Sequence, residues 1–151
     1  MTIPLRRSPC RGNAIVEFAI AFGLLLTIFA GVWQFGYAFY AYNQLESAVR
    51  NAARYASVAV YDGGTWDGAT LKTRAKNMVV YGTPTPTGSD KALLPGLETS
   101  HVRVIPTFAG MVPERIEVDI NGYLIDAFFT EFPLNGKPSS SFQYMGRFIV
   151  P

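Results

Sequence analysis

The chain has 151 residues, with thirteen Lys/Arg against eleven Asp/Glu, one histidine and one cysteine. Three of the basic residues, Arg6, Arg7 and Arg11, precede the first acid, Glu17, so the remainder carries ten against eleven and has no basic surplus to offer a nucleic acid. The single cysteine, Cys10, excludes an intrachain disulfide, and the single histidine, His101, excludes a His-based metal cluster.

In chain order, residues 1–12 read as a short basic leader. Cys10 is not a lipidation site on this reading, because Arg6 and Arg7 occupy the place of the apolar stretch that would have to precede it. Residues 18–45 then contain no Asp, Glu, Lys or Arg. About twenty apolar residues cross a ~30 Å hydrocarbon core as a helix, and helix is the state in which a single span satisfies its own backbone in lipid. A cleaved secretory signal would have a shorter apolar region followed by a small-x-small site. Here the run is longer, and Trp33, Tyr37, Tyr40 and Tyr42 crowd its far end like an aromatic belt. The arginines before the span, with Arg50 the first cation after it, place the N-terminus in the cytoplasm and the C-terminal part outside.

Helical periodicity continues past the span. Leu45, Ala48, Val49, Ala52, Ala56 and Val60 share one face, while Glu46, Arg50 and Arg54 line another. No proline interrupts residues 13–60, and Asp62-Gly63-Gly64 stops the pattern. The expected helix is about 70 Å long at ~1.5 Å per residue. Its alanine-rich outer half suits either its own globular domain or a partner helix.

Glu17 is an acid at the opening of an apolar span, where charge costs at least ~2.5–3.5 kcal/mol on insertion scales. On its own it could snorkel to the interface. Cleavage after Gly12, however, would make Asn13 the new N-terminus, with Glu17 four residues on and on the same helical face. The new ammonium and the carboxylate would then pair, within a chain or between neighbours, and offset the burial of both charges. This spacing resembles the class III signal of type IV pilin-like proteins. The strings Arg-Gly-Asn-Ala-Ile-Val-Glu-Phe-Ala at 11–19 and Gln-Leu-Glu-Ser-Ala-Val-Arg-Asn-Ala-Ala-Arg-Tyr-Ala at 44–56 resemble the TadE-like family of minor pseudopilins. Gly23 stands where family members often carry proline, and Gln34 lies near a position where they often carry an acid.

The resemblance implies a role in assembly and adhesion of tight-adherence (Flp-type) pili, with a prepilin peptidase cutting between Gly12 and Asn13. Glu17 and Phe18 would serve N-terminal pairing and assembly. Ala52, Ala53, Arg54, Tyr55 and Ala56 would serve helix packing or partner contact. The implied partners are the peptidase, other pilins or pseudopilins, the assembly machinery and the membrane.

Beyond the stalk, residues 61–151 read as an extracytoplasmic α+β domain. A second helix is expected at about 68–81, with Leu71, Ala75, Met78 and Val79 on its apolar face, capped by Asp67 or Thr65 and ended by Gly82. Residues 83–90, with two prolines, form a loop. The period then changes to two. A strand begins at 101–105, residues 115–120 alternate with Ile116, Val118 and Ile120 on one face, and 141–148 is a third strand. Phe128, Phe129 and Phe132 are read as domain core rather than an exposed patch, and Glu117 and Asp119 as a wet strand face. The expected architecture is α+β: a long membrane and stalk helix at 13–60, a second short helix, and a small antiparallel sheet packed on the long one.

His101 reads as a solvated strand residue rather than a catalytic one, and no phosphate-binding or cysteine motif occurs. No enzyme activity, cofactor, metal or small-molecule substrate is therefore expected. The alternative to a pseudopilin is an unprocessed bitopic accessory or binding protein with a periplasmic domain.

Overall fold

The computed structural model describes residues 11–60, 69–110 and 112–147. In chain order these form α1 (Arg11–Val58), α2 (Ala69–Tyr81), a 3-10 turn (Thr99–His101), β1 (Val102–Ala109), β2 (Val112–Ala127) and β3 (Thr130–Gln143). The strands make one antiparallel sheet in the order β1-β2-β3. The architecture is α+β, with the sheet and α2 packed on the long helix. Most of the expected leader, the Gly63-Gly64 stop, the caps at Thr65 and Asp67, and Phe148 lie outside the described residues.

The 48 residues of α1 divide into two halves with different surroundings. From Asn13 to Phe29 every side chain is exposed. From Ala41 onward one face is buried: Ala41, Leu45, Ala48, Val49, Ala52, Ala53 and Ala56 enter the core. The repeat of that face every three to four residues keeps it turned toward the domain for about four turns. The small side chains of the alanines let the sheet and α2 approach the helix closely.

Two residues separate the end of α1 at Val58 from the expected end at Val60. The last carbonyls of a helix lack intrahelical partners. One of them is met here by the segment that follows β3, where Met145 N–H donates to the Ser57 carbonyl at 2.9 Å; just beyond the helix the Tyr144 hydroxyl donates to the Ala59 carbonyl at 2.7 Å. Helix α2 ends as expected at Tyr81. Gly82 takes φ +72°, and its N–H donates to the Met78 carbonyl at 3.1 Å, a left-handed cap that glycine enters without steric cost.

In β2 the expected face is buried, with Ile116, Val118 and Ile120 fully covered. An extra residue at Gly122, φ +75°, then shifts the parity, so that Tyr123, Ile125 and Ala127 continue the same inward face. The third strand departs from expectation, running from Thr130 to Gln143 rather than over 141–148. Pro133 and Pro138 lack the N–H that a ladder position donates, but β3 is an edge of the sheet, where a missing N–H is tolerated. His101 is likewise not in a strand. It closes the 3-10 turn, its Nδ1 accepts the Glu98 N–H at 3.1 Å, and its ring lies 5.6 Å from that of Tyr123.

Candidate functional site

Among the described residues one helix is long and apolar enough to span a membrane by length and composition, and none of its most apolar stretch is buried within the fold. That stretch belongs to α1. Phe18 stacks on Phe22 at 5.7 Å and Phe29 on Trp33 at 6.5 Å, aromatic pairs four residues apart on an exposed surface. The Thr27 hydroxyl donates to the Gly23 carbonyl at 2.9 Å, so this polar group is satisfied within the span. Gly23, Gly31 and Gly36 have open space where a Cβ would stand. These are properties of a surface meant to be covered by lipid or by other helices.

Asn13 and Glu17 lie one helical turn apart in this exposed half. Glu17 has no ion-pair partner among the described residues. Phe18 follows it and is exposed. The outer string is placed differently: Ala52, Ala53 and Ala56 are buried against the chain's own domain, Tyr55 is half-buried and Arg54 points to solvent. Nearby, the Arg50 guanidinium bonds Glu46 at 2.7 Å, a solvent-exposed pair one turn apart.

Two features of the α+β domain escaped the sequence reading. The first is Asp119, expected on a wet face but only 4 % exposed. Arg103 stands directly opposite it across the β1–β2 ladder and forks onto both carboxylate oxygens, with Nε to Oδ1 at 2.9 Å. This hydrogen bond, together with the attraction of the carboxylate, raises the guanidinium pKa further above its ordinary value. Gly136, at φ +71°, lies against the pair; a Cβ there would stand 3.7 Å from Arg103 Nη2. Opposite charges at matching register were the available signal, but that register depends on the hairpin length.

The second is the β2–β3 turn. Phe128 and Phe129 form its two-residue tip, 81 % and 70 % exposed, so both stand outside the core that was expected to hold them. Only Phe132 is packed against that core. A tip of two phenylalanines carries none of the Gly, Asn or Asp that marks a hairpin turn, which is why the sequence hid it.

Elsewhere, the Tyr123 hydroxyl donates to the Pro95 carbonyl at 2.9 Å, and burial raises its pKa above the ordinary tyrosine value. Lys76 donates to the Thr99 carbonyl at 3.1 Å; burial, then the charge of Lys72, lowers its pKa. Among the described residues no three His, Cys, Asp or Glu side chains cluster as metal ligands would.

Residues 12–54 match the family described as TadE-like protein. This segment is TadE-like. The match opens at Gly12, spans the exposed half of α1 with Glu17, and closes at Arg54 inside the alanine-rich string. The matched segment lies within α1, the helix that has the length and composition of a single-pass membrane anchor. Comparison with curated proteins and with solved structures finds no match.

Proposed function

We propose that this chain is a minor pseudopilin of a tight-adherence pilus, acting in pilus assembly and surface adhesion as a structural rather than catalytic component. A membrane prepilin peptidase cuts between Gly12 and Asn13. The span then holds the N-terminus at the cytoplasmic face of the inner membrane and carries the α+β domain outside. The observation that supports this most directly is one uninterrupted helix with two surroundings: a bare apolar half with Glu17, which has no ion-pair partner among the described residues, near its start, and an outer half built into the domain. Such a helix transmits the position of its lipid-embedded end rigidly to the domain. In an assembly, Glu17 receives the new ammonium of Asn13, its own or a neighbour's, and Phe18 packs beside the pair.

The test is Glu17→Gln. Removing one partner of a buried pair leaves the other charge uncompensated, at about 3–5 kcal/mol. At about 1.4 kcal/mol per tenfold, that weakens association by roughly two to three and a half powers of ten. The variant should insert, be cleaved and accumulate, yet fail to co-purify with pilus components or to support piliation. Processing is followed separately by N-terminal sequencing, and a bulky residue at Gly12 should leave the precursor uncut. Normal pili from processed Glu17→Gln protein would discard the pairing role and favour an accessory protein that is merely anchored.

A further inference from the structure

The β2–β3 hairpin runs alongside α1, and its direction is set by contacts at both ends. Near the tip, Phe132 meets Phe35 of α1 at 6.4 Å between ring centroids. Just past the other end of β3, Tyr144 and Met145 bond the Ala59 and Ser57 carbonyls. The tip therefore lies on the side of the domain that faces the span. There it encloses with the helix a cleft of about 520 Å³ lined by Trp33, Gln34, Tyr37, Asp126, Ala127 and Phe128.

This places the tip at a definite height. About twenty helical residues cross a ~30 Å hydrocarbon core. Counted from Phe18, the first residue beyond Glu17, that distance ends near Tyr37, and burial by the domain begins at Ala41. The stretch of α1 beside the tip is thus the outer boundary of the hydrocarbon, where Trp and Tyr rings concentrate.

The local chemistry of the tip suits that boundary. Phe128 has φ +67°, and Phe129 N–H donates back to the Ala127 carbonyl at 2.7 Å. A backbone of this shape favours glycine or asparagine, and a phenylalanine here is sterically disfavoured. Neither ring is packed against the domain core, and both are largely exposed. Two residues back, Asp126 and Glu131 face each other across the ladder, both exposed. At ~3.3 Å per residue they stand about 7 Å behind the tip. Insertion of about 5–10 Å leaves the rings at the acyl boundary and these acids among hydrated headgroups. Docking the tip on the bare apolar helix of a second copy would press the same two acids against an uncharged surface.

We propose that the Phe128-Phe129 hairpin tip is a second membrane contact, dipping into the outer leaflet beside Trp33 and Tyr37 and fixing the tilt of the domain on its stalk. This rests on reading α1 as a membrane span. The ligand is a lipid surface.

The test uses the full chain with Cys10→Ser, reconstituted at one copy per phospholipid nanodisc and labelled with an environment-sensitive fluorophore. Separate variants carry the label at Phe29→Cys in the span, at Thr130→Cys beside the tip, or at Gln143→Cys at the distal end of β3. Lipids bearing a nitroxide high on the acyl chain act as quencher. The proposal expects quenching at 29 and at 130, at least twofold stronger at 130 than at 143, and a fall to the 143 level when Phe128→Ser and Phe129→Ser are added. Quenching at 29 without quenching at 130 overturns the hairpin contact and leaves the span intact, whereas no quenching at 29 removes the span and the proposal together. A fluorescence change at 130 that occurs only with two or more copies per disc identifies a second chain as the occupant and likewise overturns the proposal.

Discussion

Leu45 is fully buried one turn after α1 enters the domain core at Ala41, and Leu45→Ala measures how far the stalk and the domain are one cooperative unit. A buried Leu→Ala change costs about 2.7–5 kcal/mol, the upper end applying where the surroundings cannot collapse. Collapse is restricted here, because Ala41, Ala48 and Val49 flank the site on a rigid helix and the facing sheet is tied to that helix at both ends. For a domain of about 100 residues, one kcal/mol shifts Tm by ~4–8 °C, so a fall of about 10–40 °C is expected. Total stabilities are about 5–15 kcal/mol, so the variant could lose a large share of its folded population at growth temperature. The assay is thermal unfolding of the full chain in nanodiscs, followed by near-ultraviolet circular dichroism of the domain's aromatic residues. Leu25→Ala, the same change at an exposed position of the span, is the control and should leave the domain transition in place. Equal transition temperatures for Leu45→Ala and Leu25→Ala would refute a core shared between helix and sheet.

Four further outcomes follow from named positions. Arg103→Met strands the buried Asp119 carboxylate and should lower Tm, and adding Asp119→Leu should restore part of the loss, because an apolar pair leaves no uncompensated charge; thermal scans of the singles and the double decide it. Gly136→Ala has room for its Cβ but not the right backbone, so strain alone should lower stability by about 1–2 kcal/mol in denaturant titration. Tyr123 has a raised folded-state pKa, so its contribution is fully present below the ordinary value of 10.0 and is lost as pH rises through the folded value. Lys76 has a lowered one, so its contribution is present above the ordinary 10.5 and is lost as pH falls through the folded value. Stability measured between pH 8 and 11 should therefore fall less steeply at the alkaline end in Tyr123→Phe and rise less through the lysine range in Lys76→Met.

The features legible in the sequence are those governed by near neighbours along the chain. An uncharged apolar run, a three-to-four residue stripe from Leu45 to Ala56, a glycine after Tyr81 and the alternation at Ile116, Val118 and Ile120 each state a local period, and each element lies where its period put it. The Glu17 and Asn13 spacing belongs to the same class, because one helical turn is a local distance. What only the tertiary structure decided depends on pairing across the sheet. Pro133 and Pro138 are compatible with a strand because β3 is an edge, a property of strand order that the segment itself does not carry. Asp119 is buried because Arg103, sixteen residues earlier, comes into register with it. The extra residue at Gly122 reverses which of Tyr123 and Leu124 faces the core, so alternation alone could not be carried through it. Phe128 and Phe129 look like core by composition, yet they are exposed because the ladder closes around them as a turn. A hydrophobic residue is buried only if the chain's path brings other atoms over it, and at this hairpin tip, beside the apolar half of α1, few atoms of the chain do so.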